Sequence, residues 1–425
     1  MPVEYVKVCP TFGPGFFYIP GSDTCLKVGG NVWVEGMWVQ PYTKAQDTIG
    51  TRVQSRITLD ARTNTEFGLL RTVVDPRFNK RNGNEASASQ AREGNAAVNT
   101  STNGGNGDGT TKQFQVNTTG YIQLGGLTVG RLSSFASPQF SANDLVGPVG
   151  IDARDEVNTV AYTASLGNGM TLTGALEDGT DSNRDGVYSV VSAGGGAGNI
   201  TYGGSRIPDA VLAFKVDQAW GSANLAAQSH AINYNSNQFG VEYGYGVTAG
   251  VKINLPMIAA GDSLLLNGAY ASGFNQFVWR NNTGDKRSNN TDGLQYAAGM
   301  YTTATINDVA VNMSTGQSYQ AKSYGGNVEL THYFTPAVAA FLGGSYAKIT
   351  WDSAAQALNP ANINPSAVYT GYLGLIWSPV KNFKIVPEVH YAHVNSKVAF
   401  GPTGAEPTTK NNDAWGARIQ VRRDF

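Results

Sequence analysis

The sequence predicts an all-β chain folded as a transmembrane antiparallel β-barrel of about sixteen strands, with short turns on one rim and long loops on the other. Three observations point to it. The 425 residues include 52 glycines and 20 tyrosines but only 14 % charged residues. That composition is poor in long helix formers, and no run approaches the roughly 20 apolar residues that a membrane helix needs. Several stretches instead alternate apolar and polar residues, the period of a strand with one face toward lipid and the other toward water. The connections alternate too, tight on one side and long and polar on the other, which a soluble sandwich has no reason to do. The formal net charge of −1 argues against a nucleic-acid partner.

The first element is "CPTFGPGFFYIPGSDTC", which holds both cysteines of the chain, Cys9 and Cys25. A reduced cytosolic protein of this size usually scatters several thiols, whereas an exported one avoids unpaired ones, so the pattern favours export and a structural disulfide. Closing a loop of about 15 residues contributes roughly 3 kcal/mol in the chain-entropy model, and Gly13, Pro14, Gly15, Pro20 and Gly21 let the backbone double back. No basic neighbour or Cys-x-x-Cys spacing supports a redox switch, and ligands for zinc are lacking. Residues 1–25 read as an N-terminal segment on the short-turn, periplasmic side, with Phe16, Phe17 and Tyr18 packed against the barrel base. Residues 26–425 read as the barrel. The chain opens without an apolar leader, so export implies that one was removed.

Counting by alternation places strands at 26–39, 48–61, 66–78, 113–124, 127–134, 158–166, 170–177 and 209–220, then at 222–232, 242–254, 262–274, 322–334, 337–351, 367–379, 382–395 and 413–425. In "LKVGGNVWVEGMW" the apolar face is Val28, Val32, Val34 and Trp38, with Lys27, Asn31 and Glu35 between. In "DAVLAFKVDQAW", Leu212, Phe214 and Val216 alternate with Lys215 and Asp217. "VAAFLGGSYAKITW" sets Phe341, Ile349 and Trp351 against Tyr346 and Lys348. "NFKIVPEVHYAHV" sets Phe383, Ile385, Val389 and Tyr391 against Lys384, Glu388 and His390. Tyr369 and Trp377 stand at the two ends of one apolar face, where aromatic girdles sit.

Two loops stand out. Residues 79–112 contain no aromatic side chain and almost no large aliphatic one, which suits a solvated outer loop or a latch onto a neighbouring subunit. Residues 134–159, "SFASPQFSANDLVGPVGIDARDEVNT", carry Phe135, Phe140, Leu145, Val146, Val149 and Ile151, which are badly placed in bulk water and are expected to fold into the barrel. The same loop carries Asp144, Asp152, Asp155 and Glu156. Parity turns Arg52 and Arg56 inward with Asp60, opposite Val53, Ile57 and Leu59, and turns Arg418 and Arg422 inward opposite Ile419 and Val421. Closing the barrel brings the last strand beside the first, so these four arginines are expected to form one basic wall. Arg131 falls on the outward parity, toward a subunit contact, and Arg71 stays ambiguous after its turn.

The opening "CPTFGPGFFYIPGSDTCLKVGGNVWVEG" resembles that of the mature alphaproteobacterial outer-membrane porins, the Brucella and Rhizobium type, and the likeness extends to the final strand "DAWGARIQVRRDF". Phe425 resembles the terminal phenylalanine read by the outer-membrane assembly machinery, while Arg423 departs from the alternation as an interfacial arginine at the periplasmic rim. The resemblance implies a homotrimeric, sixteen-stranded channel in the bacterial outer membrane, embedded among lipids and lipopolysaccharide and passing ions and small hydrophilic solutes. It also implies a third loop folded inward as a constriction, here residues 134–159, whose carboxylates oppose the basic wall.

Other motifs are weaker. "DGTDSNRDG" offers Asp181, Asn183 and Asp185 in the opening spacing of a calcium loop, but position twelve is Ser192, so the expectation is no cofactor, with calcium as the remaining candidate. His230, His332, His390 and His393 are too dispersed for a metal cluster. A barrel enzyme would need a nucleophile, base and orienter presented together, and no serine pairs with a histidine by spacing. An adhesin or receptor using the long loops is the other alternative to a channel.

Overall fold

A computed structural model describes residues 7–40, 48–83, 113–137, 156–180, 190–193, 203–278, 308–358, 363, 365–396 and 413–425. The strands are β1 (Phe16–Tyr18), β2 (Cys25–Val39), β3 (Ile49–Thr65), β4 (Gly68–Gly83), β5 (Gln113–Leu124), β6 (Leu127–Ser133), β7 (Glu156–Gly167), β8 (Met170–Glu177), β9 (Val190–Ala193) and β10 (Asp209–Gln218). They continue as β11 (Gly221–Ile232), β12 (Glu242–Asn254), β13 (Ser263–Ser272), β14 (Val309–Asn312), β15 (Gln317–Gln320), β16 (Lys322–Thr335), β17 (Val338–Thr350), β18 (Ser366–Val380), β19 (Phe383–Ser396) and β20 (Asp413–Asp424). Omitting β1, β9, β14 and β15, each strand pairs antiparallel with the next, and β20 returns to β2 from Asn31↔Asp424 to Val39↔Gly416. The result is a closed ring of sixteen strands, and closure satisfies every ladder group without an edge, as a bilayer demands. No helix among the described residues is long and apolar enough to cross a membrane.

Each of the sixteen expected strands is present, with ends shifted by a few residues. The largest shift is at β4, which runs through Gly83, so the polar loop expected from residue 79 begins later; residues 84–112 lie outside the described ones. Val28, Val32, Val34 and Trp38 of β2 are exposed on the outer surface, as are Leu212, Val389, Tyr369 and Trp377, the apolar faces that alternation assigns to lipid.

β17 corrects the sequence reading. Phe341, Ile349 and Trp351 are buried inside the barrel, whereas Leu342 is 59 % exposed on the outer surface, on the parity of Tyr346 and Lys348. The inner face of this strand is apolar because infolded segments cover it: Ile349 and Trp351 pack with Ala355 of the short helix α1 (Ser353–Leu358) and with Ile363. Phe341 lies across Gly374 of β18, where an added Cβ would stand 2.0 Å from its Cζ.

The same internal cluster unites small inward residues, Ala161, Ala175, Val211, Ala213 and Ala226, with Ala136 of the third loop and with Phe274 and Phe277 beyond β13. Toward the long-loop end, β14 pairs in parallel with β9 and antiparallel with β15, and Val309 and Val311 are buried with Ile232 and Tyr234.

At the short-turn end, β1 pairs with β2 through Phe16↔Lys27 and Tyr18↔Cys25, just below the point where β20 stops. Cys9 and Cys25 are disulfide-bonded with a Cα–Cα separation of 6.0 Å. Phe12, Phe16 and Tyr18 pack around the bond. Phe12 takes the place expected of Phe17, because strand alternation turns Phe17 away from its two neighbours. The C-terminus is pinned beside β2 by reciprocal bonds between Phe425 and Gly30.

Candidate functional site

The inward faces of β3, β2, β20, β19 and β4 form one continuous wall. Strand register sets its rows. Glu35 of β2 stands opposite Arg52 of β3, Asn31 opposite Arg56, and Glu388 of β19 opposite Arg418 of β20. All four expected arginines are brought together here, on β3 and β20, the two strands that flank β2, yet the wall is not simply basic. Arg52 pairs with Glu35. Arg418 bridges Glu35 at 3.3 Å and Glu388 at 2.9 Å. Arg56 grips Asp75 of β4 through two hydrogen bonds, one of 2.5 Å from Nε, and Arg422 holds Asp424 at 2.7 Å. Lower on the wall Asp60 accepts from both Arg62 and Arg71, at 2.8 and 2.9 Å, which settles Arg71 as inward.

The charge ladder is tightest at its upper level. Arg52, Glu35, Arg418 and Glu388 are all buried. Ions taken out of water need close partners to offset their desolvation, and this interlocked quartet supplies them. Below it, Arg56 is 32 % exposed and Arg77 and Arg422 about a fifth. Trp33, facing the same way on β2, lies between two guanidinium groups, 5.2 Å from that of Arg52 and 5.6 Å from that of Arg422, a cation–π arrangement that keeps both cations on the wall.

Across the lumen the third loop begins. Ser134 donates to Glu177 at 2.8 Å, the Phe135 N–H donates to the same carboxylate at 2.9 Å, Thr248 of β12 donates to the Ala136 carbonyl at 2.8 Å, and Asn224 of β11 donates to the Ser137 carbonyl at 3.1 Å. These bonds join positions up to 112 apart in sequence and fasten residues 134–137 inside the barrel, against the wall opposite the arginines. Of the expected loop acids only Glu156 lies among the described residues, and it belongs not to the loop but to β7 as its first residue, so the strand begins before the expected loop end at 159. It stands 2.5 Å from Arg77 of β4, an arginine outside the expected set of four. Asp144, Asp152 and Asp155 lie outside the described residues, as do Asp181, Asn183 and Asp185.

Sequence reasoning missed Arg77 and its neighbour Asp75 although both fall within the expected strand 66–78, where they share the inward parity of Arg71 and of buried Val73. Arg131 is on the parity of exposed Leu127 and Val129, as expected. Against burial, which would raise it, hydrogen bonds from Thr180 and Asn158, together with the charge of Arg131, hold the carboxyl of Asp178 below the usual range. Three histidines sit on single carboxylates: His230 on Asp209, His332 on Asp262 and His393 on Asp413. No group of three or more metal-ligating side chains occurs among the described residues.

A closed sixteen-stranded barrel with lipid-facing apolar strands, a charged inner wall and a loop fastened within the lumen defines a pore-type protein of the outer membrane. The chain belongs to the porin subfamily, whose family model matches residues 1–417. It is 36 % identical to porin Omp2b of Brucella suis over 228 residues, which are 52 % of this chain and 56 % of the relative. It is 34 % identical to porin Omp2b of Brucella abortus strain 2308 over 224 residues, 52 % and 55 % of the two chains. The chain thus spans about half the length of the curated relatives it matches. The outer-membrane channel DcaP of Acinetobacter baumannii shares the fold, with a TM-score of 0.59 and 14 % identity over 96 % of this chain and 99 % of that one.

Proposed function

We propose that the protein is a general diffusion channel, passing ions and small hydrophilic solutes through a constriction between the arginine–carboxylate wall and the third loop. The single observation that carries this reading is the fastening of residues 134–137 inside the barrel by Glu177, Thr248 and Asn224, which narrows the lumen from the side opposite the charged wall. A passive pore needs no catalytic group and no cofactor, and the reading includes neither. Planar-bilayer recording of the purified protein is the test. Large, steady, ohmic conductance steps are expected; inserted barrels that hydrolyse a lipid or peptide substrate without conducting would overturn the reading in favour of an enzyme.

The working unit in this reading is a homotrimer. Arg131 supports it, because a cation on the outer surface of a barrel is costly against lipid and is better placed against protein or at the rim. Of the two glycines expected to allow close barrel contact, Gly36 is open, with nothing nearer to an added Cβ than Ile419 at 3.9 Å. Gly30 is needed within the chain itself, because a Cβ there would stand 2.2 Å from the Arg56 carbonyl. Light scattering in detergent should give three chains per particle, and a monomer mass would refute the assembly.

A further inference from the structure

We infer that the periplasmic mouth carries a cationic collar that binds soluble multivalent anions, a station separate from the constriction. The inference rests on the diffusion-channel reading for its physiological use. The turns between strands on this rim fall among the described residues, and the charges counted here are theirs and those of the adjoining strand ends. Lys27 of β2 shares the inward parity of buried Asn31 and Glu35, and stands opposite Asp60 in register. Arg62 and Arg71 flank that same carboxylate, so three cations surround one anion. Around the ring, Lys252 of β12 shares parity with buried Thr248 and pairs in register with inward Ser222 and Leu265. It has no carboxylate partner among the described residues.

Lys215 of β10 continues the buried inward positions Asp209, Val211 and Ala213 and meets Asp217 at 3.0 Å, both side chains more than half exposed. An exposed pair of this kind holds its partners weakly, so Lys215 remains available to a ligand. Among the described residues these five cations thus face two carboxylates, Asp60 and Asp217, and inward Lys384 and Arg422 add positive charge beside them. The other acids at this end do not redress the balance. Asp262 is buried and bound by His332, and Asp424 is held by Arg422. Glu329, in the register row of Lys252 and Leu265, is buried and accepts from Tyr372 at 3.1 Å. Asp23 and Glu66 sit in turns beyond the strand ends. Aromatic rings stiffen one side of the collar: Arg62 lies 4.7 Å from the Phe16 ring and Lys27 lies 5.8 Å from it, in the segment closed by the Cys9–Cys25 bond.

A solute with two or more negative charges gains from such a ring roughly in proportion to its charge, and the gain fades as salt shortens the screening length. For tripolyphosphate, with about four negative charges at neutral pH, about 10 Å from each lysine in 50 mM salt, each lysine is worth about fourfold in affinity. The test is block of single-channel current by inorganic tripolyphosphate added to one side at a time, with orientation read from a label on the 336–337 turn. Half-block is expected at a concentration at least tenfold lower from the periplasmic side than from the other, in 50 mM KCl. The asymmetry should vanish in 1 M KCl. The Lys27→Gln/Lys215→Gln/Lys252→Gln variant should weaken periplasmic block about sixtyfold, and Lys252→Gln alone about fourfold. Equal block from both sides, or an asymmetry that survives the triple substitution, overturns the collar while leaving the channel intact. Should inserted barrels fail to conduct, the channel reading fails. Calorimetric binding of tripolyphosphate to the wild type, lost in the triple variant, then still decides the collar.

Discussion

Arg56→Gln is the substitution that most directly tests the charged wall. Arg56 is the most exposed of the arginines expected to form it, and its partner Asp75 is nearly buried. After the substitution Asp75 keeps the more distant Arg77, 3.6 Å away, and a hydrogen bond of 3.2 Å from Thr58, and the wall loses one positive charge facing water. A unit charge about 6 Å from a passing ion contributes roughly 0.7 kcal/mol in water, which the Debye length of about 10 Å at 0.1 M reduces to roughly 0.4 kcal/mol. The sign is opposite for potassium and chloride, so their permeability ratio should move toward the cation by about fourfold. At 1 M, where the screening length is about 3 Å, the same change should shrink to about 1.4-fold. The assay is the zero-current potential under a KCl gradient at the two ionic strengths. Asp75→Asn should move it the other way, and the double variant should return close to the wild type, since the pair is removed as a unit. No shift at 0.1 M, a shift toward anions, or an equal shift at both salts would refute the placement of Arg56 beside the ion path. Arg52→Gln is the control: Arg52 is buried against Glu35, so its loss should lower stability more than it alters selectivity.

Three further outcomes follow from the geometry. Arg418→Met leaves Glu35 and Glu388 buried with Arg52 as their remaining wall cation, and should destabilise the barrel by about 3–5 kcal/mol, read as a lower urea midpoint in detergent; adding Glu388→Gln should recover part of the loss. Free-thiol labelling of the native protein should find none, and the Cys9→Ser/Cys25→Ser variant should loosen residues 7–24 by about 3 kcal/mol in hydrogen exchange while the barrel melts unchanged, because the ring of sixteen strands does not run through that bond. Burial pushes Asp308, just ahead of β14, up to about 7, against the pull of nearby His230 and of a hydrogen bond from the Asn275 N–H. The folded form then holds a proton that the unfolded form has released between about pH 4 and 7, so β14 should become less protected as pH rises through that window, and Asp308→Asn should remove the dependence.

The strands were legible because a bilayer imposes one rule on every residue of a spanning segment, and the side chains of β2, β10, β18 and β19 obey it. Parity also put Arg52, Arg56, Arg418 and Arg422 on the inner face. What parity does not contain is register and depth. Glu35 and Asp60 were visibly on the same face as the arginines, but only the pairing Glu35↔Arg52 and the return of β20 beside β2 turn them into partners that neutralise the wall. β17 failed for a different reason. Alternation identifies the lipid face only when the other face is wet, and here infolded segments make both faces apolar, so the larger side chains of Phe341, Ile349 and Trp351 misled while Leu342 marked the true outer face. The two assignments separate cleanly in one experiment. A fluorophore on Leu342→Cys should be quenched by brominated lipid acyl chains and one on Phe341→Cys should not. Because a one-residue change in phase moves every side chain of the strand to the opposite face, the reverse pattern would put Leu342, Tyr346 and Lys348 in the lumen and would require β17 to be re-registered against β16 and β18.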